Sequence, residues 1–251
     1  MNRLKQALLE RRPTIGLWQS LANPTTAEIC AGAGYDWLMF DGEHSPNTLQ
    51  TLLAQLQAVS AYPVEAVARP PAGDPVFIKQ YLDLGVRSLL IPMVETPAQA
   101  AHVVAATRFP PRGIRGVAAA TSRASGFGTN PDYLAHAHED VCVIAQIESR
   151  TALDEIEGIA AVEGIDALFI GPGDLSGSLG HLGNAAHPEV RAAIENAFVR
   201  IKAAGKPCGI FAKDAEQARA YLAAGYAFVS VGTDVGLLAR GARDLAARAR
   251  P

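Results

Sequence analysis

The chain is poor in cysteine. Its three thiols, Cys30, Cys142 and Cys208, are widely spaced along 251 residues, and an odd number at wide spacing argues against a disulfide framework. Cys142 and Cys208 fall inside apolar runs and read as buried free thiols. Neither sign of charge dominates: the formal net charge is −3, and no basic run precedes the closing RDLAARAR stretch, which reads as the polar face of a last helix. Nucleic acid and a membrane surface are therefore not expected partners. Long hydrophobic runs are missing too. None approaches the ~20 residues that cross a bilayer, and the opening MNRLKQALLERR reads as an amphipathic polar helix without the apolar core of a signal peptide. A cytoplasmic protein is the expectation.

What is present is enough to build a large core, with 49% hydrophobic and 19% charged residues, a balance that disfavours disorder. Short apolar runs at 14–18, 36–40, 64–68, 88–91, 141–147, 166–170, 208–211 and 227–231 alternate with longer helical patterns. The runs are near-continuous rather than alternating, as strands covered on both faces require. Eight strand-plus-helix units in about this length suit an α/β protein of the (β/α)8 TIM-barrel type. Linkers and changes of composition are lacking, so residues 1–251 read as a single domain. Gly85 and Gly225 follow helical patterns and are placed to end them in the left-handed conformation. The one long connection, 109–140, carries PPRGIRG and TSRASGFG. A loop of that length is usually functional or a partner contact.

In a barrel of this kind the chemistry collects after the strands. Asp41-Gly42-Glu43-His44 follows the second run, Arg69-Pro70 the third, Gln146-Ile147-Glu148 ends the fifth, and Gly171-Pro172-Gly173-Asp174 follows the sixth. Glu148 and Asp174 are carboxylates from adjacent strands. Such a pair serves as acid and base for a glycosidic bond, as solvated rim charge, or as ligands of a hard divalent cation. Gln146, pointing the same way, favours the cation. The Gly171–Asp174 turn is either a plain strand-to-helix turn or a nest of backbone N–H groups for an anion such as a substrate carboxylate. His44, three residues after Asp41, is placed for that carboxylate to orient the imidazole as a base, although a lone histidine is more often structural. Arg69 is a forked cation suited to a developing oxyanion, or else one half of a rim salt bridge.

FDGEHSPN, VARPP, QIES, IGPGDLS and PPRGIRG, in this order, resemble the HpcH/HpaI aldolase family, and specifically class II pyruvate aldolases of the 4-hydroxy-2-oxoheptanedioate type. The similarity runs from IGLW at 15–18 to GTDVGLLARGA near the C-terminus. The resemblance implies a divalent ion (Mg2+, Mn2+ or Co2+) on Glu148 and Asp174, and a 2-oxo acid that also touches Gln146 and the Gly173–Asp174 turn. It makes His44 the base and Arg69 the transition-state stabiliser. An aspartate matching Asp83 supports the histidine from a neighbouring subunit, within a homohexamer that exchanges C-terminal helices. Small-molecule partners, a 2-oxo acid and an aldehyde, follow from the same resemblance. Gly173, Phe211 and Thr233 stand where alanine, leucine and valine are usual, so the pocket formed with Trp18 is expected to have its own substrate preference.

Two other readings belong to different classes. A Schiff-base aldolase needs a desolvated lysine. Of the five lysines only Lys213, just past the seventh run, is placed for that. A non-catalytic binder of 2-oxo acids would share the scaffold but has no use for a poised base.

Overall fold

The computed structural model describes residues 2–250. Eight parallel strands, β1 (Thr14–Gln19), β2 (Trp37–Asp41), β3 (Glu65–Arg69), β4 (Ser88–Ile91), β5 (Cys142–Ile147), β6 (Ala167–Ile170), β7 (Cys208–Ala212) and β8 (Phe228–Thr233), pair in chain order, and β8 closes on β1. The helices are α1 (Arg3–Leu9), α2 (Pro24–Ala31), α3 (Leu49–Ala58), α4 (Pro75–Asp83), α5 (Pro97–Thr107), α6 (Tyr133–Asp140), α7 (Arg150–Asp154), α8 (Ile156–Ala161), α9 (Pro172–Ser178), α10 (Pro188–Ala203), α11 (Ala215–Ala224) and α12 (Asp234–Ala249). This is the expected α/β (β/α)8 TIM barrel.

Local chemistry sets the helix starts. Thr48 and Thr96 head reciprocal capping boxes, and Asn23, Asp74 and Asp214 accept from the first-turn N–H groups, each satisfying donors that a helix start leaves free. Gly85 and Gly225 stop α4 and α11 at φ +96° and +101°, values at which a Cβ is strained.

Two apolar layers follow from the two-residue period of a strand. Leu38, Phe40, Leu89, Ile91, Val143, Ala145, Leu168 and Ile210 face outward under the helices. Trp37, Met39, Val67, Leu90, Ile144, Phe169 and Phe228 face inward and fill the barrel. Large rings inside demand missing side chains opposite them. A Cβ on Gly16 would lie 2.1 Å from the Trp37 ring, and one on Gly209 2.4 Å from Phe228.

The first helix is amphipathic, as its sequence reads, and its apolar face has a definite place. Its stripe of Leu4, Ala7 and Leu8 is buried, and Leu4 and Leu8 join the interior layer. Asn2 fastens it by donating to Arg87 O, Ser88 Oγ and Asp140 O, and Lys5 donates to Val141 O at 2.7 Å. These anchors lie at the N-terminal ends of β4 and β5, so α1 plugs that end of the barrel. The long connection is more structured than expected. It holds two short 3-10 turns and α6, and buried Arg115 ties it to α4 through Asp83 at 2.6 Å and to the Tyr133 hydroxyl at 3.0 Å. Among the described residues, no helix is long and apolar enough to cross a membrane.

Candidate active site

The inward period, carried past the apolar layer, delivers the polar groups. Met39 is followed two residues on by Asp41, Val67 by Arg69, and Ile144 by Gln146 and then Glu148. All four polar side chains are buried at the C-terminal ends of their strands. Asp41 and Arg69 are register partners on β2 and β3. Arg69 Nε and Nη2 donate to the two Asp41 oxygens at 2.9 Å each, and Nη1 lies 2.8 Å from Glu43 Oε2. The guanidinium also stands 4.9 Å from the Trp18 ring centre, close enough for a cation–π attraction. Burial pushes the Asp41 carboxyl up, but the hydrogen bonds and charge of Arg69 outweigh it and hold it below the usual range.

Glu148 is fixed by two donors. Met93 N–H reaches Oε1 at 2.9 Å, and the Gln146 amide donates to Oε2. Met93 supplies that N–H from a left-handed backbone, φ +53°, which a non-glycine residue seldom adopts. Burial raises the Glu148 carboxyl to about 7; the Met93 bond opposes this, and the negative charges of Asp174 and Glu43 add to it. Gly171 is needed beside the pair, since a Cβ there would lie 2.7 Å from Glu148 Oε2 and 2.9 Å from Gln146 Nε2. Asp174 sits exposed in the first turn of α9. That helix begins where only a turn was expected.

Trp18, His44, Arg69, Gln146, Gly173, Asp174 and Phe211 line one cavity of about 970 Å³. The structure thus brings together most of the side chains singled out in the sequence. One of the expected relationships is different. Asp41 does not orient the His44 ring, because Arg69 occupies its carboxylate; only the His44 backbone N–H turns toward it, at 3.4 Å. The imidazole instead lies 3.7 Å from Glu43 Oε2 and is 62% exposed. Asp83 lies at the C-terminal end of α4, held by Arg115, and within one chain it is not brought to His44. Lys213 is 75% exposed, with Asp214 at 4.0 Å as its ion-pair partner, which is not the desolvated setting that a Schiff-base lysine requires.

Glu43 and Met93 were missed. Glu43 lies two residues beyond Asp41, so extending the period of β2 by one step would have singled it out. Met93 acts through its backbone, and its residue type carries no signal.

A family model for "HpcH/HpaI aldolase/citrate lyase" matches residues 14–241. The chain belongs to that family. It is 59% identical over 246 residues to a hydroxypyruvate/pyruvate aldolase of Deinococcus radiodurans, a match covering 98% of this chain and 89% of the relative. A 4-hydroxy-2-oxo-heptane-1,7-dioate aldolase of Salmonella dublin is 55% identical over 247 residues, covering 98% and 94%. A crystal structure of a family member from Burkholderia cenocepacia J2315 superposes with a TM-score of 0.96 at 46% identity, and the match covers both chains in full. As a member of this aldolase family, the chain is a carbon–carbon lyase.

Proposed function

We propose that the enzyme is a divalent-cation-dependent aldolase that reversibly cleaves 4-hydroxy-2-oxo acids to pyruvate, or hydroxypyruvate, and an aldehyde. The observation that carries this reading is the setting of Glu148. A buried carboxylate, pushed up to about 7 by burial and by two further carboxylates, lies between Gln146 and Gly171, both of which line the cavity, and calls for positive charge. Gln146 Oε1 beside it is buried and finds no hydrogen-bond partner among the described residues. Oxygen donors in this arrangement fit Mg2+, Mn2+ or Co2+, and Glu148 and Asp174 are the residues that would hold the ion. When bound, it supplies Lewis acidity where negative charge develops.

The remaining chemistry belongs to the side chains. In cleavage the 4-hydroxyl proton leaves as the C3–C4 bond breaks. The bonding pair becomes the C2=C3 double bond as the carbonyl π pair moves to the 2-oxo oxygen, and the resulting enolate then takes a proton at C3. His44, exposed at the mouth, accepts the hydroxyl proton, and Glu43 stands beside the resulting imidazolium. Arg69 donates Nε–H and one Nη2–H to Asp41 and stands in ion-pair contact with Glu43 through Nη1; its remaining terminal N–H groups meet the developing oxyanion. Trp18 and Asp41 hold the guanidinium so that little reorganisation accompanies the reaction. Gly173 leaves room for a donor larger than pyruvate, since a Cβ there would meet nothing within 4 Å. This supports hydroxypyruvate as one donor.

An exposed apolar stripe on α12 (Val235, Leu237, Leu238, Leu245) and exposed Ile114, Val117, Phe127 and Leu134 in the 109–140 connection support a homo-oligomer, of which the hexamer is the form we favour. In such an assembly a neighbour's Asp83 is the candidate second partner of His44.

The deciding experiment follows pyruvate release from a 4-hydroxy-2-oxo acid by chelator-treated enzyme, before and after addition of Mg2+, Mn2+ or Co2+. Release is expected only with the ion, and is expected to be lost in Glu148→Ala and Asp174→Ala with the fold kept. A full rate in chelator, or in either variant, overturns the assignment.

A further inference from the structure

Away from Glu148 and Asp174, another group of side chains gathers in the manner of metal ligands. His181, His187 and Glu189 place one potential ligand atom each within 4.8 Å of the others. Glu189 belongs to the first turn of α10, and His181 and His187 to the stretch joining α9 to α10. Turns at Gly180 (φ +87°) and Gly183 (φ +75°) fold it back on itself. Backbone bonds from His181 N to Ser176 O at 2.7 Å and from His187 N to Asn184 O at 3.0 Å hold the fold in place.

We propose that His181, His187 and Glu189 form a second metal site, for a borderline divalent ion such as Zn2+, whose occupation pins the segment bordering the catalytic mouth.

The two imidazoles stack with centroids 3.5 Å apart and planes 17° from parallel, so both rings are already at the site, and a turn of one ring about its χ angles brings its lone pair to converge with the other on one ion. His181 Nε2 and Glu189 Oε2 are 2.7 Å apart, which means that they share a proton. A divalent ion takes the place of that proton at Nε2; a neutral imidazole carries the proton on its other nitrogen instead, and a protonated one releases it to solvent. Arg150 Nη2 lies 3.7 Å from the other Glu189 oxygen, Oε1, leaving Oε2 for the ion. The cost is small. His187 Nδ1 accepts the Glu189 N–H at 3.3 Å, a weak bond that is given up whichever ring nitrogen ligates.

Ligand type separates this site from the first. Two imidazoles and one carboxylate suit Zn2+ and its transition-metal neighbours, whereas an all-oxygen set suits Mg2+. Position gives the site its consequence. Ala185 and Ala186, between the two histidines, line the same cavity as Gly173 and Asp174. A metal here stiffens one wall of that cavity. The proposed ligation itself does not depend on the aldolase reading.

The test titrates the Mg2+-saturated enzyme with Zn2+ in equilibrium dialysis, counting zinc per chain, in the parent and in the double variant His181→Asn/His187→Asn. Asparagine at 187 is a good helix N-cap, so α10 keeps its start. The parent is expected to take up one more zinc per chain than the variant, and zinc is expected to raise the parent's Tm alone. With Co2+ in place of zinc, the parent is expected to show an added visible absorption band that the variant lacks. Equal zinc uptake, or equal cobalt spectra, overturns the site. Should the double variant fail to fold, Glu189→Gln is titrated in the same way, and retention of the extra zinc overturns it. Cleavage by the Mg2+-loaded variant without zinc is expected to match the parent. That readout keeps a failure of the aldolase reading separate from a failure of the zinc site.

Discussion

Asp41 and Arg69 pair across adjacent strands at the floor of the mouth, each 5% exposed or less, through two hydrogen bonds of 2.9 Å. A planar fork matched to a carboxylate is both strong and directional. Removing one partner leaves the other charge buried and unpaired, which typically costs about 3–5 kcal/mol. Asp41→Ala is expected to lose about that much stability in urea unfolding, and Asp41→Asn less. A loss below about 1 kcal/mol in Asp41→Ala would show that Glu43 alone suffices to hold Arg69.

Glu148 sets a pH dependence whose sign is definite. Its folded carboxyl is raised from 4.5 to about 7, so the folded, metal-free chain binds more protons than the unfolded chain between those values. Stability from this group is therefore greatest at low pH and falls as pH rises from about 4.5 to 7, by about 3 kcal/mol. Metal binding is expected to release a proton below pH 7 and to weaken about tenfold per unit there. Calorimetric titration with Mn2+ at pH 5.5, 6.5 and 7.5 measures both; an affinity independent of pH would contradict the raised value.

The fold was legible because strands buried on both faces are spelled as unbroken apolar runs, and the site because it continues the inward parity of those runs. What escaped was short or long-range. Helix α9 has the sequence PGDLSGS, whose proline, glycines and serines read as a turn; its helicity comes from packing Leu175 and Ser176 inward. The pairing of Asp41 with Arg69 joins residues 28 apart in the chain, so the nearer histidine seemed the natural partner for Asp41. The amphipathic face of α1, Leu4, Ala7 and Leu8, was legible, but not where it docks, because Asn2 and Lys5 fasten it to residues 85 to 138 positions away.

His44 is expected to act on the proton and not on the cation. His44→Ala is predicted to lose about 10²–10⁴-fold in kcat while Mn2+ affinity stays near that of the parent. Exchange of the pyruvate methyl protons, followed by NMR without aldehyde, isolates the enolisation step. Exchange as fast as in the parent would remove His44 from the role of base.

Nothing steric in the fold requires glycine at 173, which supports the proposal that it sets donor specificity. Gly173→Ala is expected to keep or raise Tm, since alanine favours a helical first turn by up to ~1 kcal/mol. The ratio of kcat/KM for hydroxypyruvate over pyruvate in aldol synthesis should drop by about tenfold. An unchanged ratio would place the donor's C3 substituent elsewhere.

The exposed stripe of α12 predicts assembly. Light scattering is expected to show a multiple of the 26.4 kDa chain, and Leu238→Asp to shift it toward smaller species. A monomeric parent at working concentration would contradict the oligomer.

Because Leu4 and Leu8 pack into the interior layer at the far end of the barrel, the described residues leave the mouth at the C-terminal ends of the strands as the doorway. Traffic through one doorway is last in, first out. Under the proposed function, a donor seated against Glu148 would arrive before the molecule that sits above it, and after cleavage would wait for that molecule to go. The stopper made by the first helix thus imposes an order of events on a reaction whose chemistry takes place at the other end of the barrel.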